Sequence, residues 1–140
     1  MSAATGLAVA SMMGEPHNFI FMAMVGNVVP GGPAASPLAG LLVSGERPML
    51  ATAGDSGSAL FTSSRLLVGQ QAGILSKRLT VKSLRRDHIF AYAIDPDSYV
   101  TLDLFGAFGK ANLLFDAEFE PMQLSEWLGI TLAGSASQEN

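Results

Sequence analysis

The chain has 140 residues, of which 49% are hydrophobic and 14% charged, with a formal net charge of −4 and no cysteine. That composition describes one globular domain with a sizeable core and excludes a disordered chain. It also excludes disulfides, thiolate chemistry and cysteine-held metals. The negative balance argues against a nucleic-acid surface, which needs clustered positive charge. So few charges predict that some apolar surface is covered by a partner or by further copies of the chain.

Residues 2–13 read as a weak helix limited by Gly6 and Gly14. No charged residue occurs from Asn18 to Ser44. Pro30, Gly31, Gly32, Pro33 and Pro37 break this stretch before it reaches the ~20 apolar residues of a membrane span. No Lys or Arg precedes the apolar run 19–29, so a signal peptide is not indicated either. The run itself fits a strand or a buried helical piece, and is expected to lie against the domain or an oligomer neighbour. Ser36 followed by Pro37 has the form of a helix N-cap, with Leu38, Leu41 and Leu42 at helical spacing up to Ser44-Gly45.

Beyond Glu46 the period becomes that of strands. The expected strands are 47–53, 58–61, 65–69, 76–84, 88–94, 98–105 and 110–116. Turn residues separate them at Gly54 to Gly57, Ala72-Gly73, Asp95-Pro96-Asp97 and Gly106 to Gly109. In 98–105, Val100, Leu102 and Leu104 form the core face, with Tyr99, Thr101, Asp103 and Phe105 opposite. Pro121 opens a helix with Met122, Leu124, Trp127 and Leu128 as its apolar stripe. Glu118 and Glu120 precede it, where negative charge suits a helix N-terminus. Gly129 or the residues after it are expected to end this helix, and 133–140 to form a frayed tail.

The order of short motifs carries a resemblance over about residues 42–132. It starts at Gly45-Glu46, passes Leu60-Phe61-Thr62, Arg65-Leu66-Leu67, Gly73, Ser76-Lys77-Arg78, Lys82-Ser83-Leu84 and Ile89, and reaches Leu102-Asp103-Leu104, Phe115 and Trp127. This wording resembles the bacterial branch of the pleckstrin-homology-like (PH-like) superfamily. The resemblance implies a mainly β fold, a barrel of about seven antiparallel strands capped by one C-terminal α-helix, here with an extra N-terminal apolar segment. It also implies a non-enzymatic module that assembles into ring-shaped homo-oligomers. Eukaryotic relatives bind phosphoinositides through basic residues between the first two strands. The corresponding loop here, Gly54-Asp55-Ser56-Gly57, carries a negative charge instead, which disfavours a phosphorylated headgroup.

The same loop resembles the nucleophile segment of trypsin-like serine proteases. A serine nucleophile needs an oriented histidine base, only His17 and His88 are available, and the chain is too short for the two barrels of that fold. The segment is read as a polar hairpin turn, with no catalytic residue, metal site or cofactor expected. Asp95, Asp97 and Asp103 lack the spacing of a calcium loop. His88 is read as a core or rim histidine.

Charge is segregated along the chain. Five of the eight basic residues, Lys77, Arg78, Lys82, Arg85 and Arg86, fall within ten positions, whereas Asp95 to Glu126 holds seven acidic residues and only Lys110. These basic residues are the interaction candidates. They are suited to a head-to-tail contact with the acidic region of another copy, or to guarding a strand edge. The organisation read from sequence is an N-terminal apolar extension (1–36), a PH-like domain (37–132) and a tail (133–140). The expected function is a self-assembling, cytoplasmic, protein-binding module that binds itself and possibly another protein, with a membrane-peripheral, lipid-associating domain as the alternative.

Overall fold

The computed structural model describes residues 19–72, 78–96 and 99–137. The strands are β1 (Phe19–Val28), β2 (Pro48–Ala53), β3 (Gly57–Thr62), β4 (Arg65–Ala72), β5 (Arg78–Arg85), β6 (Ile89–Asp95), β7 (Val100–Gly106) and β8 (Gly109–Phe115), followed by the helix α1 (Met122–Ser137). They form one eight-stranded sheet in the order β5-β4-β3-β2-β1-β8-β7-β6. The sheet is mainly antiparallel, as expected from the sequence. The exception is β1, which runs parallel to β8 and then pairs antiparallel with β2 at Asn27 and Val28.

β1 lies within the residues read from sequence as the N-terminal extension. Its ladder to β8 runs from Phe19 opposite Gly109 to Gly26 opposite Phe115, so the barrel takes in this part of the N-terminal extension. The run 19–29 is a strand because its apolar residues serve two faces: Ala23 and Val25 are buried, while Ile20, Met22 and Met24 are exposed. The change of partner happens at a bulge between Met24 and Gly26. Gly26 has φ +71°, and a Cβ there would overlap the Ala53 carbonyl.

Burial patterns tell the two halves of the sheet apart. All six residues of β3 are buried, because both of its faces are covered. Ala59 and Phe61 face the main core with Leu66, Val68, Leu102, Leu104 and Leu113. Leu60 faces the other way, packing with Ala51, Leu67 and Leu38. β7, in contrast, alternates buried Val100, Leu102 and Leu104 with less buried Thr101, Asp103 and Phe105, as its sequence alternation predicts. Among the described residues, one face of that half of the sheet is covered and the other is exposed.

The cover over β2–β4 is the segment expected to be a helix after Ser36. It forms two 3-10 turns instead, Pro33–Ala35 and Ala39–Leu41. Ser36 Oγ does accept the Leu38 N–H at 3.0 Å, but the next bonds are of the tighter i to i+3 kind, Leu41 N–H to Leu38 O and Leu42 N–H to Ala39 O. Pro37 supplies no donor and Gly40 is a weak helix former. Burial of Leu38, 0% exposed, against the sheet holds the segment where helix propensity does not.

Glu46 ties this cover to the β3–β4 hairpin. Its carboxylate accepts hydrogen bonds from Arg65 Nε (2.8 Å) and Nη2 (3.0 Å), Thr62 Oγ1 (2.6 Å), Ser64 Oγ (3.2 Å) and the Val43 N–H (3.1 Å). Arg65 Nη2 also donates to the Leu41 carbonyl at 2.8 Å. The Glu46 side chain is only 1% exposed. Its pKa is held at about 2, chiefly by the hydrogen bond from Arg65, although burial works in the opposite direction.

α1 closes the core. Glu120 Oε1 accepts the Met122 N–H at 3.3 Å, so the acidic residue ahead of Pro121 meets an orphan donor of the first turn. Leu124, Trp127 and Leu128 join the main core. Trp127 Nε1 donates to the Thr62 carbonyl at 2.7 Å, and its ring meets Phe61 edge-on at 5.1 Å. Gly129 does not end the helix, which continues to Ser137. A single glycine costs an exposed turn only ~1 kcal/mol. The tail boundary expected at residue 133 therefore falls inside α1.

Two measurements test these constraints. Gly26→Ala should lower unfolding free energy in urea by roughly 3 kcal/mol, from positive-φ strain plus steric overlap. Gly32→Ala has no atom within 4 Å of its new Cβ and should cost about 1 kcal/mol. Glu46 has a depressed folded-state pKa, so its contribution is complete above the ordinary value near 4.5 and is lost as pH falls through about 2. Glu46→Gln should cost about 3 kcal/mol at pH 7. It should also flatten the decline in urea midpoint between about pH 4.5 and 2 that the unaltered protein shows.

Candidate functional site

Strand register assigns every loop to one of two rims. β1 starts beside Gly109 and β2 starts at Pro48 beside Thr62, so Arg47, Ser64, Arg85, His88 and Lys110 lie towards one rim. Asp55, Arg78, Asp95, Tyr99 and Asp116 lie towards the other, where β2 turns into β3 and β8 ends.

The basic candidates are divided between these rims. Lys77 lies outside the described residues. Arg78 pairs with Ala72 at one end of β5 and Arg85 with Arg65 at the other, roughly 23 Å apart at strand spacing. Lys82 is half-buried, and its Nζ sits 5.0 Å from the centroid of the Phe21 ring. This cation–π contact joins β5 to β1 across the barrel. Arg85 makes an exposed fork with Asp87, at 3.1 Å (Nε) and 2.9 Å (Nη2). That hydrogen bonding raises the Arg85 pKa and lowers that of Asp87. Arg86 follows in a 3-10 turn, its N–H bonded to the Ser64 carbonyl. Strand alternation and length keep these residues from forming one patch.

The Gly54-Asp55-Ser56-Gly57 segment is the β2–β3 turn, closed by the Gly54 N–H on the Gly57 carbonyl at 2.8 Å. Ser56 is exposed, and its carbonyl accepts the Gln71 N–H. His88 is on the opposite rim, roughly 20 Å away along the strands, and His17 lies outside the described residues. Asp103 accepts a hydrogen bond from Asn112 Nδ2, and Asp97 is outside the described residues. No group of three potential metal ligands occurs among the described residues. No helix among them is long and apolar enough to cross a membrane.

Sequence reasoning missed two surfaces. The first is the outer face of the β1-β8-β7-β6 half, where Ile20 (63% exposed), Met22 (59%) and Met24 (60%) form a column beside Lys110, Asn112 and Leu114. Phe105 continues it on β7, next to Lys110, whose Nζ lies 5.5 Å from its ring centroid. The alternation Ile20-Phe21-Met22-Ala23-Met24 held the signal, since it is apolar at both parities and a strand must turn one set outward. The second is a cleft of about 570 Å³ on the Asp55 rim, whose lining includes Met24, Tyr99, Leu114, Asp55, Ser56 and Asp116.

No protein-family model matches this chain, and no curated protein matches it. Its likeness is to solved bacterial structures. A DUF1696-family protein with a pleckstrin-homology domain from Shewanella loihica PV-4 aligns at 17% identity and TM-score 0.56, over 66% of this chain and 84% of its own. A PH-domain-containing protein from Exiguobacterium sibiricum 255-15 aligns at 13% identity and TM-score 0.60, over 83% of this chain and 66% of its own. A pleckstrin-homology domain from Shewanella amazonensis SB2B aligns at 19% identity and TM-score 0.54, over 69% and 91%. At such identities the likeness carries the architecture: the chain has the fold of a bacterial PH-like domain.

Proposed function

We propose that this chain is a non-enzymatic PH-like module that self-associates and offers a protein-interaction surface. The observation that carries this reading is the contrast between its two outer sheet faces. Over β2–β4, Leu38 and Leu42 cover the apolar residues. Over β1 and β8, Ile20, Met22 and Met24 are exposed and flanked by Leu114 and Phe105. A contiguous apolar patch of this kind on a chain with 14% charged residues favours coverage by another protein surface, and a second copy supplies one.

The rims support a head-to-tail arrangement of copies. Arg47, Arg86 and Lys110 lie towards one rim, and Asp55, Asp95 and Asp116 towards the other, which also holds Arg78. Unlike ends attract, and a heterologous contact closes into a ring when the rotation between copies permits. On this reading Arg85 and Arg86 act in assembly, while Lys82 acts within the barrel.

Size-exclusion chromatography with light scattering tests the reading. The expected mass at micromolar concentration is a multiple of 14.6 kDa; a clean monomer sinks the reading. Met22→Asp places a charge in the centre of the apolar column and should shift the assembly to monomer while leaving circular dichroism unchanged. Raising salt to about 0.5 M should loosen the assembly to the extent that the rims hold it together.

A further inference from the structure

We propose that the cleft on the acidic rim binds an organic cation, an ammonium or guanidinium group carried on an apolar stem. The first support is its form. A volume of about 570 Å³ falls within the ~300–1,000 Å³ of small-molecule sites. The cleft is preformed by backbone. Gly26 and Gly54 approach so closely that a Cβ on Gly26 would overlap the Ala53 carbonyl. The Asp116 N–H is bonded to the Gly26 carbonyl at 2.9 Å. The walls therefore stand without a ligand to order them.

The lining sets the chemistry. Met24, Leu114 and Tyr99 supply apolar wall, while Asp55 and Asp116 bring carboxylates from two different elements, the β2–β3 turn and the end of β8. None of the described residues lining the cleft is basic. Three other carboxylates are engaged: Glu46 by Arg65, Asp87 by Arg85 and Asp103 by Asn112. The side-chain carboxylates of Asp55 and Asp116 have no hydrogen-bond or ion-pair partner among the described residues. Two uncompensated negative charges over an apolar wall attract a cation whose stem can lie on Met24 and Leu114, and they repel phosphate. The charge preference is thus the reverse of phosphoinositide recognition.

The ammonium has two sources, a free amine or the side chain of a peptide. Backbone-amide NMR titration separates them, using pentane-1,5-diamine, a blocked Gly-Lys-Gly peptide and inorganic phosphate as probes. Because Met24 also borders the outer face used in the self-association reading, the titrations are run on the Met22→Asp variant as well as the unaltered chain. The expected result is a saturable shift of the Ser56, Tyr99 and Asp116 amides with the diamine or the peptide, and none with phosphate. Whichever of the two binds more tightly identifies the source. Asp55→Asn and Asp116→Asn, both exposed positions, should each weaken binding about fivefold. The proposal is overturned if neither cation shifts these amides up to about 10 mM, if both variants bind as well as the unaltered chain, or if phosphate binds at the same amides. Each outcome is independent of whether the chain is a monomer or an assembly.

Discussion

One strand holds this domain together by belonging to two ladders. β1 runs parallel to β8 over most of its length and meets β2 antiparallel only at its last residues. It therefore joins β2–β5 to β6–β8 in one continuous sheet. The join requires the backbones of β1 and the β2–β3 turn to approach within the space of a side chain. Gly26 and Gly57 permit this, since a Cβ on either would overlap a carbonyl of the facing segment. With any side chain at Gly26, the backbones of β1 and β2 would have to shift apart where the two strands meet.

Once β1 is in place, its alternation distributes the apolar residues. Phe21, Ala23 and Val25 belong to the core, where Lys82 reaches Phe21 from β5. Ile20, Met22 and Met24 belong to the outside. The other half of the sheet had the same problem and solved it within the chain, by laying residues 33–42 over β2–β4 and locking them with Glu46 and Arg65. That lock is polar, yet it binds the cover to the hairpin because all four of its side-chain members, Glu46, Thr62, Ser64 and Arg65, satisfy one another. Among the described residues one sheet face is covered and the other exposed, and basic and acidic side chains predominate on opposite rims.

Much of the fold was legible. The strands β2 to β8 follow from alternation and turn residues, because those signals act over a few neighbouring positions. The stripe of α1 was equally clear. The partners of those residues were not legible. Glu46 lies 19 positions from Arg65 in the chain, and no local pattern links them. The segment after Ser36 carried the signature of a helix, but burial of Leu38 and the bond geometry near Pro37 decided for 3-10 turns. Gly129 carried the signature of a stop, and the helix passes through it because one exposed glycine is a small cost.

The candidate site was less legible than the fold. The five clustered basic residues are neighbours in sequence, but extended backbone separates Arg78 from Arg85 and sends alternate side chains to opposite faces. Asp55 and Asp116 are 61 positions apart in the chain and become neighbours on one cleft only because β1 brings the β2–β3 turn to the end of β8. The sequence by itself determined the strands, the closing helix, the shortage of charge and the acidic character of the β2–β3 turn, since each depends on composition or on short-range periodicity. Tertiary structure alone decided which apolar face stays uncovered, where the cleft opens and which carboxylates remain unpaired. Those properties arise from contacts between segments distant in the chain, and a pattern of neighbouring residues does not encode which distant segment will meet it.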